Sequence, residues 1–284
     1  MTPQASPEQE KAPPRAAVVV VSRNRVESLR ACLKSIDASR ERERLQVIVV
    51  DNGSRDGAAH LDDEFPEAQF IRLPKNFGLT KALNIGWRAA DAEYVLFLHD
   101  DTLVEPDTIP LLADALDAGA HADAAAVCPL LIDEEGRPAP QLGELPPTGE
   151  WRPAAPAGVE PFEVDYPRGA AIMVRVFFVK AIRQIDQRYG QFGSDADLAA
   201  EIQRASRKIL LVPSAKVRHR GAGAYGAMER ADFLQARAIF LGKYFGFFSG
   251  VKARLASVLG PLLGFRFGEL RYTLSGQKID GTQE

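Results

Sequence analysis

Three acidic stretches and one histidine in this sequence have the residue types and spacing to hold a cation. The β-branched run "LQVIVVD" ends at Asp51 and is followed by "NGSRDG". A second apolar run, "YVLFL", stops abruptly at His99-Asp100-Asp101. Further on, "GSDADL" carries Asp195 and Asp197, and "AKVRH" closes on His219. Neighbouring carboxylates are costly unless a cation or hydrogen-bond donors neutralise them. A hard divalent ion with oxygen ligands, Mg²⁺ or Mn²⁺, is the natural partner, and such ions commonly bridge to substrate phosphates. Taken singly, each residue also has a plain structural reading. Asp51 before Asn-Gly-Ser suits a turn, and Asp100-Asp101-Thr102 suits a solvated turn before a helix. Asp195 and Asp197 suit a helix N-terminus, and His219 suits a hydrogen-bonded core position. The functional reading rests on the order and spacing of all of them together.

The elements that must position these residues alternate. "AAVVVV" (16–21), "LQVIVVD" (45–51), "QFIRLP" (69–74), "YVLFLHDD" (94–101) and "AAAVCPLLID" (124–133) read as strands. Helices are predicted over 26–37, where Val26, Leu29, Leu33 and Ile36 recur at helical spacing, and over 80–91. Another is predicted over 105–117, with Pro106 at its first position. Strand, helix and strand follow at 169–176, 194–206 and 209–219. This alternation predicts an α/β fold, a right-handed, mainly parallel sheet flanked by helices on both faces. Ligands of such sheets bind beyond the carboxyl ends of the strands, where Asp51, Asp100 and Asp101 fall. Between Glu134 and Phe162 seven prolines interrupt the pattern. A loop of that length is expected to be functional, ordering over substrate rather than packing a core.

With 284 residues, a formal net charge of −3 and a pI near 5.9, the chain is an ordinary globular protein and a poor candidate for nucleic-acid binding. Cys32 and Cys128 lie among apolar neighbours, as buried free thiols in a reducing compartment do. The first 14 residues read as a disordered polar tail rather than a secretory signal, and no stretch is apolar enough to span a membrane. These readings predict a cytoplasmic protein. The segment 225–284 reads as a C-terminal helical extension rich in Phe, Leu, Lys and Arg. Two readings fit it: helices packed on the main domain, or a basic amphipathic surface making peripheral contact with the inner face of the cell membrane.

The combination of motifs resembles the family 2 glycosyltransferases of the GT-A fold, in particular their rhamnosyltransferase-like branch, from about Ala16 to Gly223. "VVVVSRNR" resembles the family's first strand and nucleotide-binding turn, and "VIVVDNGSRDG" its V-V-D-N-G-S-x-D-G segment. "PKNFGLTKALNIGWRAA" resembles the N-x-G-x-x-x-A-x-N-x-G stretch that follows. "YVLFLHDDTLVEP" resembles the metal motif usually written L-N-D-D-T, and "RGAAIMVRV" a G-A-x-M-L-x-R strand. "GSDADLAAEIQRASRKILLVPSAKVRHRGAG" resembles a G-E-D-x-D-L helix followed by a strand that ends in histidine.

The resemblance implies a GT-A domain over 15–224 and a metal-dependent, inverting transfer of a hexosyl or deoxyhexosyl group from a nucleotide-sugar donor. The acceptor would be a glycan or lipid-linked sugar in bacterial polysaccharide synthesis. It implies that Asp51, with Ser22, Asn24, Asn76 and Lys81, serves the nucleotide, and that Asp100 faces ribose or sugar. Asp101 and His219 would hold the metal, and Asp195 would be the general base. The chain departs from the pattern at Ser194 in place of the family's Glu, at His99 in place of Asn, and at Arg23 in place of an aromatic residue. The rivals are weaker. A dehydrogenase would carry G-x-G-x-x-G after the first strand, where this chain reads "SRNRVES". A nucleotidyltransferase would carry a glycine-rich basic loop there, and a non-catalytic sugar-nucleotide-binding protein has no need of Asp101, Asp195 and His219 together.

Overall fold

The structure, a computed structural model, describes residues 13–220, 226–276 and 279. Most of the proposed N-terminal tail, and the glycines after Arg220 in the last motif, lie outside them.

The chain opens with β1 (Ala16–Ser22), α1 (Val26–Asp37), β2 (Leu45–Asp51), β3 (Ala68–Arg72), α2 (Leu79–Arg88) and β4 (Tyr94–His99). It continues through β5 (Thr102–Val104), α3 (Thr108–Asp117), β6 (Ala124–Ile132), β7 (Pro140–Gly143), β8 (Arg152–Pro153), β9 (Phe162–Val164) and β10 (Tyr166–Pro167). Next come β11 (Ala171–Arg175), α4 (Val176–Ala181), α5 (Ser194–Arg204) and β12 (Lys208–His219), and then α6 (Ala227–Tyr244), α7 (Phe247–Leu263) and α8 (Phe267–Ser275).

The main sheet runs β3-β2-β1-β4-β11-β6-β12-β5, with β9 on the flank of β12. Strands β1 to β4, β6 and β12 point one way, while β5, β9 and β11 oppose them. The period-2 alternation of strands divides the core between the two faces. Ala17, Val19, Ile48, Val50, Val95 and Phe97 face one side, and Ala16, Val18, Val20, Val47, Val49, Tyr94, Leu96 and Leu98 face the other. Both sets are buried, which is why β1, β2 and β4 read as continuous apolar runs rather than alternating ones. On the first face α2 sits so close to β1 that a Cβ on Gly86 would meet Val19 Cγ1 at 2.4 Å.

Two expectations are corrected. The helix predicted from Glu105 begins at Thr108, because Thr102–Val104 form an edge strand antiparallel to β12. The Glu105 N–H bonds to the Lys216 carbonyl and the Thr108 hydroxyl, which holds residue 105 outside the helix. The proline-rich stretch is also more than a loop. β7 pairs with β8 on one side and β10 on the other in a three-stranded sheet, and Leu142 and Ala154 join the core. Buried Gln141 anchors it to β6, its amide donating to the Pro129 carbonyl (2.9 Å) and accepting from the Leu131 N–H (2.7 Å).

Candidate active site

Register brings the sequence-distant residues together. Ser22 pairs with Asp51, and Val21 with His99, so β1, β2 and β4 end side by side. Antiparallel pairing of β5 with β12 sets His219 opposite Thr102 and so beside Asp101. Asp101 Oδ1 lies 3.4 Å from His219 Nε2 and 3.8 Å from His99 Nδ1. One ligand atom from each of the three residues falls within 4.8 Å of the others.

The first cation at this rim belongs to the protein. Arg25 straddles the two carboxylates, Nη1 donating to Asp100 Oδ1 (2.9 Å) and Nη2 to Asp101 Oδ2 (3.3 Å). The Ser22 hydroxyl donates to Asp100 Oδ2 at 2.7 Å. Burial pushes the Asp100 carboxyl up to about 6, outweighing Ser22 and Arg25. Burial acts the same way on Asp101, but the two histidines and Arg25 overcome it and hold that carboxyl well below the usual range. Both oxygens of Asp100 are therefore satisfied, whereas Asp101 Oδ1 is buried without a hydrogen-bond partner. A buried carboxylate oxygen left open between two imidazoles fits a divalent cation of borderline hardness.

These residues open onto a cavity of about 640 Å³. Its walls include Asp101, His99, His219, Asp195, Arg168 and Trp151. Asp195 lies on the first turn of α5, with Oδ1 accepting from the Ala196 N–H (2.8 Å) and Oδ2 from the Gly169 N–H (3.3 Å). The helix N-terminal field alone would make Asp195 a weak base. Desolvation at the wall reverses this and pushes its carboxyl above the ordinary carboxylate value, against the Ala196, Tyr166 and Gly169 donors. Gly193, just before α5, has φ +90°, and a Cβ there would meet Tyr189 at 2.7 Å and Ala236 at 2.9 Å. Its close approach is thus to the protein's own α6 side.

Asp197, two residues on, points away from the cavity. It accepts from Lys243 Nζ (2.7 Å), the Tyr244 hydroxyl (2.8 Å) and the Tyr189 hydroxyl (3.2 Å), and ties α5 to α6.

The other residues singled out in the sequence form a second group. Asp51 and Ser22 continue the sheet face of Val47, Val49, Val18 and Val20, opposite to the face on which Val21 and Phe97 line the cavity. Asp51 Oδ1 accepts from the Ser54 N–H (2.9 Å), and Asn24 Oδ1 accepts from the Arg55 N–H (2.7 Å). Asn76 Oδ1 takes the Asn52 amide (2.9 Å) and the Gly78 N–H (2.8 Å), which fixes the turn into α2; Lys81 lies on that helix's first turn.

Comparison with known proteins agrees with this architecture. The family described as Glycosyl transferase family 2 matches residues 17–171, more than half of the chain. The chain belongs to glycosyl transferase family 2. Among curated relatives, an N-acetylglucosaminyl-diphospho-decaprenol L-rhamnosyltransferase of Mycobacterium tuberculosis is 27% identical over 239 residues, 74% of this chain and 77% of that protein. An N-acetylglucosaminyltransferase of Sinorhizobium fredii is 36% identical over 108 residues, which cover 36% of this chain and 26% of its own. The fold is of the GT-A type. The structure of GalNAc-T7 with UDP, GalNAc and Mn²⁺ superposes with a TM-score of 0.68 at 15% identity, over 94% of this chain and 57% of that one. Residues 1–349 of Staphylococcus aureus TarS superpose with a TM-score of 0.58 at 16% identity, over 93% and 92%.

Two residues that touch or face Asp100 and Asp101 are not marked by any motif. Arg25 was visible as the cation nearest the turn after β1, but nothing in its spacing announces contact with Asp100 and Asp101. His99 stands in the sequence as a departure from Asn, and its imidazole lies beside Asp101 Oδ1.

Proposed function

We propose that this family 2 enzyme performs a metal-dependent, inverting transfer of a hexosyl or deoxyhexosyl group from a nucleotide-diphosphate donor to a hydroxyl acceptor. The observation that carries the reading is Asp101 Oδ1, buried, unpartnered and flanked by His99 and His219. In this reading Asp101 and His219, with His99, hold Mg²⁺ or Mn²⁺. Such an ion, when bound, supplies positive charge that stabilises a departing diphosphate. Asp100, fixed by Ser22 and Arg25, faces the ribose or sugar. Asp51, Ser22, Asn24, Asn76 and Lys81 form the nucleotide side. The acceptor hydroxyl attacks the anomeric carbon from the face opposite the diphosphate, and Asp195 takes its proton. The raised pKa of Asp195 suits that role, because a stronger base accepts a proton more readily.

We assign 15–224 to the transferase domain and 225–284 to a helical extension. The acceptor proposed is a glycan or lipid-linked sugar of bacterial polysaccharide synthesis, in line with the M. tuberculosis relative. Buried, free Cys32 and Cys128 favour the cytoplasm as the compartment, with contact at the inner face of the membrane. A thermal-shift screen of UDP-, dTDP- and GDP-sugars with and without Mn²⁺ tests the reading, since a ligand of the folded state raises stability by mass action. One donor should raise the melting temperature, and only with metal. No shift with any donor would overturn it.

A further inference from the structure

The last two helices are built inside out. On α7 the positions turned toward the protein are small or polar. A Cβ on Gly250 would stand 2.7 Å from Gly242 Cα of α6, and Ser257 and Pro261 are buried. Phe247, Val251, Leu255, Leu259 and Leu263, four residues apart, face outward, with Leu255 59% and Leu263 77% exposed. In α8 the buried residues are Glu269 and Thr273, while Phe267 and Leu274 are exposed. Eleven of the thirteen exposed large apolar residues among the described residues lie between Phe245 and Leu274, so they concentrate on α7, α8 and the turns beside them rather than scatter.

The exposed charge beside the patch is basic, whereas Lys243 is paired with Asp197 and Arg266 with buried Glu269. From 233 to 268 the sequence holds Arg237, Lys243, Lys252, Arg254 and Arg266 and no acidic residue. Lys252 and Arg271 are exposed beside the patch. Two copies of this chain meeting face to face would set the exposed Lys252 and Arg271 of one against those of the other. No helix among the described residues is long and apolar enough to cross a membrane. An apolar helix face flanked by Lys and Arg, with Phe at its edges, has instead the make-up of a segment lying in a lipid–water interface.

We propose that α7 and α8 dock this protein on an anionic bilayer surface, with the α7 axis in the membrane plane and its Phe and Leu side chains among the acyl chains. Arg266 and Glu269, from the same region, line the active-site cavity. Docking therefore brings the cavity wall to the bilayer, which deepens the reading of a lipid-linked acceptor.

Co-sedimentation of the full chain with phosphatidylcholine vesicles, with and without phosphatidylglycerol, tests this without donor or metal, so its outcome is separate from that of the transferase reading. The parent should bind the anionic vesicles, and less at high salt. Lys252→Glu with Arg271→Glu should weaken binding by about tenfold or more. Phe248→Ser with Leu255→Ser should lower it at least as much while the melting curve stays in place. A parent that ignores anionic vesicles, or a charge-reversed variant that binds like the parent, overturns the proposal. Self-association lost in the serine variant, without vesicle binding, would assign the face to a second copy instead.

Discussion

At the ends of β4 and β12 the structure buries Asp100, Asp101 and His219, while on α7 it exposes Phe247, Phe248 and Leu255. Both regions run against the usual partition of polar and apolar side chains, and the manner of the exception differs. The buried acids are held by Arg25 and Ser22, while Asp101 Oδ1, which faces the two histidines, makes no hydrogen bond. The exposed apolar residues have nothing over them among the described residues, and the exposed cations Lys252 and Arg271 flank them. A buried charge left partly unpaired is a demand for a small cationic ligand; an apolar face left uncovered is a demand for an extended surface.

That contrast can be broken by substitution. The largest effect is expected at the rim. Asp101→Ala should lower metal-dependent transfer by roughly 10³-fold, the scale of losing a metal that stabilises the leaving group, in a steady-state assay with saturating donor. If the variant transfers at near-parental rates, the open oxygen has another purpose.

Next comes a comparison inside α5. Asp195→Asn should cut transfer by about 10²-fold with donor affinity unchanged, because it removes proton acceptance alone. Asp197→Asn should leave transfer per folded molecule intact and cost about 1–2 kcal/mol of stability in urea, since Lys243 loses a buried partner. The opposite pattern would exchange their roles.

Asp51→Ala should weaken nucleoside diphosphate binding by about tenfold. It should also cost about 1 kcal/mol of stability, because Asp51 holds the Ser54 N–H in its turn. Titration calorimetry and a melting curve separate the two. The smallest effect belongs to the outer face of α7. Leu255→Gln should shift stability by no more than about 0.5 kcal/mol, as for a surface site. A loss of several kcal/mol would mean that the face is covered in the folded protein.

The sequence made the sheet legible because burial on both faces leaves continuous apolar runs, and the strand ends at Ser22, Asp51 and His219 fall within a residue of those predicted, while β4 stops at His99, two residues before the predicted Asp101. Edge strand β5 was hidden: three residues between two turns carry no periodicity, and β5 exists only because β12 pairs with it. The direction of β11 was hidden too, since an antiparallel central strand has the same apolar texture as a parallel one. In the site, the motifs named Asp101, Asp195 and His219, but not the guanidinium of Arg25, whose reach depends on the turn after β1. The inverted helices α7 and α8 show amphipathic spacing, but a spacing says nothing of which face turns inward.

The central claim is that Asp101 and His219, with His99, hold a divalent cation for a nucleotide-sugar donor. A crystal structure of the chain with Mn²⁺ and the donor found by thermal shift, with the ion located by its anomalous scattering, tests it most directly. The account predicts an ion within roughly 2.2 Å of Asp101 Oδ1 and of a His219 nitrogen, the span of such bonds. Donor bound in the cavity with no ion there, or an ion more than about 4 Å from His219, beyond any coordinate bond, would contradict it.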